Sequence, residues 1–270
     1  MSARAPASWI VGVAVVAAGC SSPVAPGSPA APGGDTAIVG GQPTGAQYGN
    51  VGALLFDFDG GGTLDGDDLF CSGSLIGAGR FLTAGHCVTW LAAGAQIYVT
   101  FAPDLNAPGI TVIPATGFTA ALPSRPGDRT DLALVHLPPG ATAGITPLTL
   151  PPAGWLTTSA AGGGLRGTVF VNVGYGADAT RRGQPSFTYR ERREMSTSLF
   201  SSLDRDYLNL QMNVNATGRG GDCYGDSGGP KFVQGNTSML VATVSFGDEP
   251  CRALSKNSRL DTAPAQAFLR

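Results

Sequence analysis

Six consecutive residues, Gly225–Pro230, read Gly-Asp-Ser-Gly-Gly-Pro and carry the strongest chemical signal in the sequence. A nucleophilic serine needs an exposed hydroxyl and backbone N–H groups directed at the oxyanion that develops during acyl transfer. Glycines on both sides allow a sharp turn and the close approach of a substrate. A serine between glycines also occurs in plain turns, but the full hexapeptide is far more specific. Ser227 is therefore the candidate nucleophile.

A histidine and an aspartate could activate this serine. The chain has two histidines, His86 in Thr-Ala-Gly-His-Cys and His136 in an apolar, strand-like run, which favours a structural role for His136. Imidazole titrates near neutrality, so His86 can accept the serine proton and return it. Asp131 opens the apolar run Asp-Leu-Ala-Leu-Val. A carboxylate there is costly unless it is paired, and an imidazole N–H would satisfy it, although loops also commonly end in aspartate before a strand.

The elements that must position these residues are predicted to be short strands. The 270 residues are 43% hydrophobic and 13% charged, with 40 Gly and 20 Pro. Apolar runs rich in Val, Thr, Phe and Tyr recur between turn signals, and helical periodicity is nearly absent apart from a short terminal helix at Ala263–Leu269. We predict an all-β protein. The formal charge of -2 excludes a basic surface for nucleic acid.

The N-terminus is typical of an exported protein. Arg4 precedes an apolar run that is too short to span a bilayer. Residues 1–20 are predicted to be a signal peptide, and residues 21–37, rich in Ser, Pro, Ala and Gly, a linker or propeptide. The run ends in Ala-Ala-Gly-Cys, which resembles a bacterial lipobox. A lipid on Cys20 would attach the protein to a membrane, and the alternative is an ordinary cleavable signal that contains a cysteine.

Five cysteines are present. Without Cys20, four remain, and an even set in an exported protein indicates two disulfides for which the sequence alone permits three pairings. The four are Cys71, Cys87, Cys223 and Cys251.

Six motifs, in this order, resemble the trypsin-like serine proteases over Ile38 to about Ala267. They are Ile-Val-Gly-Gly at 38–41, Cys-Ser-Gly-Ser-Leu-Ile at 71–76, Thr-Ala-Gly-His-Cys at 83–87, Asp-Leu-Ala-Leu at 131–134, Gly-Tyr-Gly at 174–176 and the hexapeptide at 225–230. The resemblance implies a peptidase domain over 38–270, built as two packed six-stranded antiparallel β-barrels with a boundary near 150 and the active site between them.

The same resemblance implies a role for each site residue. His86 is the general base, Asp131 its partner and Ser227 the nucleophile, with the backbone N–H groups of Gly225 and Ser227 as the oxyanion hole. Cys71 pairs with Cys87, and Cys223 with Cys251. No cofactor or metal is needed, the substrates are proteins or peptides, and a monomer is expected.

Activation is implied by the motif that begins at Ile38. In the family, cleavage before this isoleucine frees an α-amine that pairs with the aspartate preceding the nucleophile, here Asp226. Ala37, not Arg or Lys, precedes Ile38, so an elastase-like or other host protease is the expected activator. Because a free α-amine has a pKa of about 7.7–8.0 and pairing raises it, activity is expected to be lost reversibly at high pH.

The substrate pocket departs from the trypsin pattern. The position six residues before the nucleophile, where trypsin-like specificity for Lys and Arg requires Asp, is Gly221, and Asp222 follows it. A carboxylate on Asp222 would attract a cation from the pocket wall, so we predict Lys or Arg before the scissile bond, with small or apolar residues as the alternative. Ser245, Phe246 and Gly247 resemble the opposite wall.

The sequence supports other functions less well. An exported surface binding protein that keeps the fold without catalysis is the main alternative, but such proteins usually lose a triad member. An esterase with the same triad is a third, although the order His, Asp, Ser favours the protease family. The acidic, Gly-rich loop at 57–68 fails the EF-hand pattern because Gly61 occupies a ligand position and no Glu closes the loop, so we expect a solvated hairpin.

Overall fold

A computed structural model of the protein describes residues 38–121, 130–179 and 184–270. These residues are mostly β, with 11% helix. They form sixteen strands: β1 Gln42–Pro43, β2 Val51–Leu55, β3 Leu69–Gly77, β4 Arg80–Thr83, β5 Tyr98–Thr100, β6 Val112–Pro114, β7 Gly117–Ala120, β8 Ala133–His136, β9 Val169–Gly174, β10 Asp178–Ala179, β11 Phe187–Thr188, β12 Glu194–Leu203, β13 Tyr207–Gln211, β14 Pro230–Val233, β15 Ala242–Gly247 and β16 Leu254–Arg259. The α-helices are α1 Trp155–Ala160, α2 Val214–Thr217 and α3 Ala263–Phe268, and 3₁₀ turns occur at Gly66–Asp68, Gly85–Cys87 and Ala161–Gly163.

The first half of the described chain forms a curled sheet. Its antiparallel strand order is β6-β5-β2-β3-β4-β8-β7. Strand β2 and its neighbours carry Val, Leu, Ile and Phe at buried positions. Many of these side chains pack together inside the curl of the sheet. The inner cluster is Leu54, Cys71, Phe81, Ala84, Cys87, Val88, Ile97, Val99, Ile113, Ala133, Val135 and Leu137.

The second half forms a closed barrel. Strands β12, β13, β16, β15, β14 and β9 follow one another, and a further pairing of β12 with β9 closes the ring. That closure runs from Glu194 opposite Gly174 to Leu199 opposite Val169. Strand β1, from the start of the described chain, adds to the outside of this barrel by pairing with β12.

The all-β prediction is confirmed, and the architecture matches the two-barrel fold as one closed six-stranded barrel and one half-barrel sheet. The first sheet differs from a closed six-stranded barrel. Strands β6 and β7 follow each other in the chain, yet each pairs on its far side, β6 with β5 and β7 with β8. Residue 150 lies between the last strand of the sheet and the first strand of the barrel.

An apolar layer joins the two halves. It contains side chains from both, among them Val51, Leu82 and Leu134 from the sheet and Val173 and Phe232 from the barrel. Burying each such side chain stabilises the fold by about 1.5–3 kcal/mol. The packing fixes the loops at the edge of one half against those of the other.

A buried arginine adds a polar tie between the halves. Arg193 is 2% exposed. Its guanidinium donates to the carbonyl oxygens of Val51 and Phe101 at 3.0 Å each and to Thr44 Oγ1 at 3.0 Å. Because the guanidinium is buried, these hydrogen bonds are needed to offset the cost of removing it from water.

The chain end carries the short terminal helix that the sequence predicts, as α3. Thr262 caps it, because its side chain accepts from the N–H of Ala265. Among the residues that the structure describes, no helix is long and apolar enough to cross a membrane. The predicted signal peptide, lipobox and linker lie outside the described residues.

Candidate active site

Strand pairing explains why His86 and Asp131 meet. Strands β4 and β8 are antiparallel, with Thr83 opposite Ala133. His86 follows the end of β4 and Asp131 precedes the start of β8, so both lie at the same edge of the sheet. The turn Gly85–Cys87 is fixed further by the disulfide between Cys71 and Cys87.

Asp131 is fully buried, and two of its contacts orient His86. Its Oδ2 lies 2.7 Å from Nδ1 of His86, and its Oδ1 accepts from the backbone N–H of His86 at 2.8 Å. Ser245 Oγ donates to Oδ2 at 2.5 Å. Because a carboxylate only accepts hydrogen bonds, Nδ1 of His86 must carry the proton. The second ring nitrogen, Nε2, is left with a lone pair that can accept a proton.

Ser227 lies in the loop between α2 and β14, and the first sheet holds that loop. The N–H of Ser72 donates to the carbonyl oxygen of Ser227 at 2.9 Å. Gly228 has φ +82°, and a Cβ there would lie 2.2 Å from Thr83 Oγ1, so only glycine fits. His86 and Ser227 line the same two cavities. No hydrogen bond joins the His86 ring to Ser227 Oγ in the described part of the chain, and such bonds are often long without substrate.

Two backbone N–H groups beside the serine are free. Neither the N–H of Gly225 nor that of Ser227 donates to any group in the described ranges. The peptide planes around them are held, because Ala177 N–H donates to the oxygen of Tyr224 at 2.7 Å and Ser72 Oγ donates to the oxygen of Gly225 at 2.9 Å. Gly225 adopts φ +93°, a conformation that glycine permits. These donors are the predicted oxyanion hole.

The proposed activation residues are both buried, and no hydrogen bond between them is present in the described chain. Ile38 is fully buried, and its neighbour Val39 accepts from Gly221 N–H at 3.1 Å. Asp226 accepts from the N–H groups of Gly176 and Cys223, at 2.9 Å each. No hydrogen bond joins Ile38 to Asp226 in the described chain. Burial raises the pKa of Asp226 to about 8.

The predicted pocket residues surround one cavity of about 280 Å³ next to Ser227. Asp222, Ser245, Phe246 and Gly247 all line it, together with the disulfide between Cys223 and Cys251. Gly221 does not line it. A Cβ on Gly221 would lie 2.3 Å from the Cβ of Met212, so Met212 occupies the space into which a longer side chain would project.

Three residues that the sequence did not single out lie at or behind this cavity: Met212, Lys231 and Ser255. Asp222 and the two residues bound to it, Lys231 and Ser255, are called the pocket floor. Lys231 and Ser255 both donate to the carboxylate of Asp222, and Met212 lines the same cavity. Lys231 is fully buried in β14. The sequence offers one indication of this role: Lys231 stands between Pro and Phe in a strand whose other residues are apolar.

Ser245 lines the cavity and also bonds to Asp131. The sequence suggested a substrate wall, and Ser245 does line the cavity, but its hydroxyl is used by Asp131. It therefore supports the carboxylate that orients His86. His136, expected to be structural, lies in β8 with its Nε2 3.0 Å from Thr119 Oγ1.

The acidic loop uses its carboxylates on its own backbone. Gly61 N–H donates to Asp59 at 2.6 Å, Gly62 N–H to Asp57 at 3.0 Å and Asp67 N–H to Asp65 at 3.0 Å. These are turn contacts of the kind that aspartate favours.

A family profile described as Trypsin matches residues 38–259. This chain belongs to the trypsin family. Among solved structures, human heparin binding protein aligns at a TM-score of 0.64 and 19% identity, over 86% of this chain and 96% of that one. HL collagenase aligns at a TM-score of 0.58 and 19% identity, over 83% and 94% of the two chains. At such identity these structures bear on the fold alone. A search of curated proteins found no match.

Both disulfides of the structure have the pairing that the family resemblance implied, Cys71 with Cys87 and Cys223 with Cys251. Trypsin family membership and two disulfides are typical of an extracellular or exported protein. The family also indicates protein or peptide substrates.

Proposed function

We propose that this protein is a serine endopeptidase that hydrolyses peptide bonds through an acyl-enzyme on Ser227. The observation that carries the proposal is the buried Asp131 carboxylate bound to Nδ1 of His86, with Nε2 of His86 left to face a cavity that Ser227 also lines. That arrangement supplies a base with a fixed tautomer beside an alcohol.

In the acylation step, Ser227 Oγ attacks the carbonyl carbon of the scissile bond while Nε2 of His86 takes its proton. The N–H groups of Gly225 and Ser227 then stabilise the oxyanion, which such donors do most effectively when no reorganisation is needed. His86 returns the proton to the leaving amine. A water molecule, deprotonated by His86, hydrolyses the resulting ester and restores the serine.

Asp131 remains an ionised acceptor throughout the cycle. Its two further donors, Ser245 Oγ and the N–H of His86, offset the cost of burying its charge. The carboxylate also stabilises the imidazolium that forms when His86 holds the serine proton.

Activation by cleavage before Ile38 is part of the proposal. A new α-amine on Ile38 would supply the cation that a buried Asp226 needs. Support comes from Ile38 itself, which is buried, and from the bond that ties Val39 to Gly221 in the segment leading to Asp226. The sequence Thr36-Ala37 favours an elastase-like or other host protease as the activator.

Peptide hydrolysis by the cleaved and uncleaved chains tests the proposal. The full chain, cleaved so that Ile38 becomes its N-terminus, is expected to turn over peptide substrates, and the uncleaved chain is not. Ser227→Ala should reduce turnover by about 10⁴–10⁶-fold. Equal activity of this variant and the wild type would refute the role of Ser227.

We also propose that the protein is exported, through a signal peptide at residues 1–20. Mass spectrometry of the mature N-terminus would report both whether the signal peptide is removed and whether Cys20 carries a lipid. A diacylglycerol on Cys20 would show a membrane-anchored lipoprotein, and a mature chain without lipid that begins between residue 20 and Ile38 would show an ordinary signal peptide.

A binding protein without catalysis is the second candidate. The heparin binding proteins among the structural neighbours favour it, because they share the fold at 19–20% identity. Against it stand the net charge of -2, which disfavours a polyanion, and the complete set of His86, Asp131 and Ser227. A cleaved chain that hydrolyses no peptide and does not react with a fluorophosphonate would favour this candidate.

A further inference from the structure

The floor of the pocket beside Ser227 contains a buried charge pair. Asp222 is 5% exposed and faces the cavity, while Lys231 is fully buried behind it. The ammonium of Lys231 donates to one carboxylate oxygen of Asp222, and Ser255 Oγ donates to the other. Both oxygens of the only acidic side chain on the floor, within the described residues, are therefore already bound by the protein.

The position of Lys231 explains how it reaches the floor. It is the second residue of β14 and immediately follows the nucleophile loop, with Ala242 of β15 opposite it. Its neighbour Phe232 points into the apolar layer between the two halves of the protein. Because successive side chains of a strand point to opposite faces, Lys231 points the other way, toward Asp222.

The pair is neutral whichever atom holds the shared proton. Burial lowers the pKa of Lys231, and the adjacent Asp222 carboxylate opposes that shift. An ammonium with a carboxylate and an amine with a carboxylic acid have the same total charge of zero. A substrate guanidinium or ammonium entering the pocket would lose its hydration and find no free carboxylate at the floor, which costs several kcal/mol.

The rest of the pocket lining suits an apolar side chain. Met212, Val244, Phe246 and the disulfide between Cys223 and Cys251 form its walls. Pockets of this kind bind through apolar contact, with polar groups that set orientation. The cavity, about 280 Å³, is small enough to hold one substrate side chain.

Two further carboxylates, those of Asp248 and Glu249, line the same cavity. Asp248 accepts from the N–H groups of Arg252, Ala253 and Leu254, so its charge is used to hold its own loop. Glu249 is exposed, and water screens its charge.

We propose that Lys231 is a specificity-determining residue: by neutralising Asp222 it makes the pocket select uncharged, apolar side chains before the scissile bond and reject Lys and Arg. The inference rests on the proposed peptidase function. It replaces the expectation from the sequence that Asp222 attracts a cation.

A panel of peptide substrates that differ only in the residue before the scissile bond tests it. The enzyme is the full chain cleaved before Ile38, and the residues compared are Leu, Met, Phe, Arg and Lys. The wild type is expected to cleave the apolar substrates with a kcat/KM at least about 10-fold above Arg and Lys, because the floor offers no counter-charge. A preference for Arg or Lys would overturn the inference.

Removing the ammonium should reverse the preference. In Lys231→Met the Asp222 carboxylate loses its partner, and the ratio of kcat/KM for Arg to that for Leu should rise on the order of 100-fold. The matched control, Asp222→Asn combined with Lys231→Met, has a neutral floor and should return to the wild-type ranking. An unchanged ratio of kcat/KM for Arg to that for Leu in Lys231→Met would overturn the role of Lys231, because pocket shape alone would then exclude cations.

A lone buried carboxylate can unfold a protein, so a milder variant accompanies the first. Lys231→Gln keeps a donor for Asp222 but has no charge, and it carries the same prediction. Fluorophosphonate labelling of Ser227 reports whether each variant is folded and reactive. Labelling of the wild type with an Arg preference would overturn this inference alone, whereas a wild type that neither labels nor hydrolyses any substrate would overturn the proposed function and the inference with it.

Discussion

The buried carboxyl of Asp226 makes the stability of the uncleaved chain depend on pH. Burial raises its pKa to about 8, and the Asp222 carboxylate acts in the same direction, against the N–H groups of Cys223 and Gly176 and the ammonium of Lys231. In the unfolded chain an aspartate titrates near about 3.9. Between these values the folded chain holds a proton that the unfolded chain has lost.

The sign and size of the effect follow from that difference. A group whose pKa is raised in the folded state contributes its stability fully below the unfolded pKa, and the contribution is lost as pH rises through the folded pKa. The interval from about 3.9 to about 8 spans roughly four pH units, and each unit corresponds to about 1.36 kcal/mol. The uncleaved chain should therefore lose on the order of 5 kcal/mol of unfolding free energy between pH 4 and pH 8 through Asp226.

Urea unfolding of the uncleaved Ser227→Ala chain at a series of pH values measures this loss. The matched control carries Asp226→Asn in the same chain. The amide keeps one of the two backbone N–H bonds, so the control should be less stable at pH 4 by about 1 kcal/mol. Subtracting its pH profile removes the contribution of every other titrating group and leaves that of Asp226.

Cleavage before Ile38 should change the profile. A paired α-amine on Ile38 stabilises the ionised form of Asp226, so the cleaved chain should keep its stability to pH 8 and lose it only at higher pH, as the amine titrates. Identical profiles for Asp226 and its asparagine variant, or for the cleaved and uncleaved chains, would refute the reasoning.

Three further substitutions have outcomes set by the contacts described above. Asp131→Asn should present an amide N–H to Nδ1 of His86 and force the wrong tautomer, so kcat should fall by about 10⁴-fold with little change in the unfolding midpoint; a loss below 10-fold would contradict the role of Asp131. Replacing Cys71 and Cys87 together by serine should lower the unfolding free energy by about 2–4 kcal/mol, measured in urea. Arg193→Met should lower it by more than about 3 kcal/mol because buried carbonyl acceptors lose their donor, and an unchanged midpoint in urea would contradict that.

Local motifs made much of the site predictable. His86, Asp131 and Ser227 each lie in a short, specific pattern, and antiparallel pairing of β4 with β8 is enough to bring the first two together. The family resemblance also gave the pairing of the four cysteines.

The pocket floor was not predictable from such patterns. Asp222 was visible in the sequence, but its partner Lys231 is nine positions away on a strand whose orientation only the closed barrel fixes. Met212, which follows the end of β13, lies against Gly221. That contact also depends on how the barrel closes. The partners of β6 and β7 likewise depend on how the first sheet curls, which no local pattern shows.

Mapping the site of covalent modification tests the central claim most directly. The chain cleaved before Ile38 is treated with a fluorophosphonate, digested and sequenced by mass spectrometry, alongside Ser227→Ala and His86→Ala. One adduct on Ser227 is expected in the wild type, none in the serine variant, and strongly slowed labelling in the histidine variant. An adduct on a different residue, or labelling at the same rate without His86, would contradict the assignment of these two side chains as nucleophile and base.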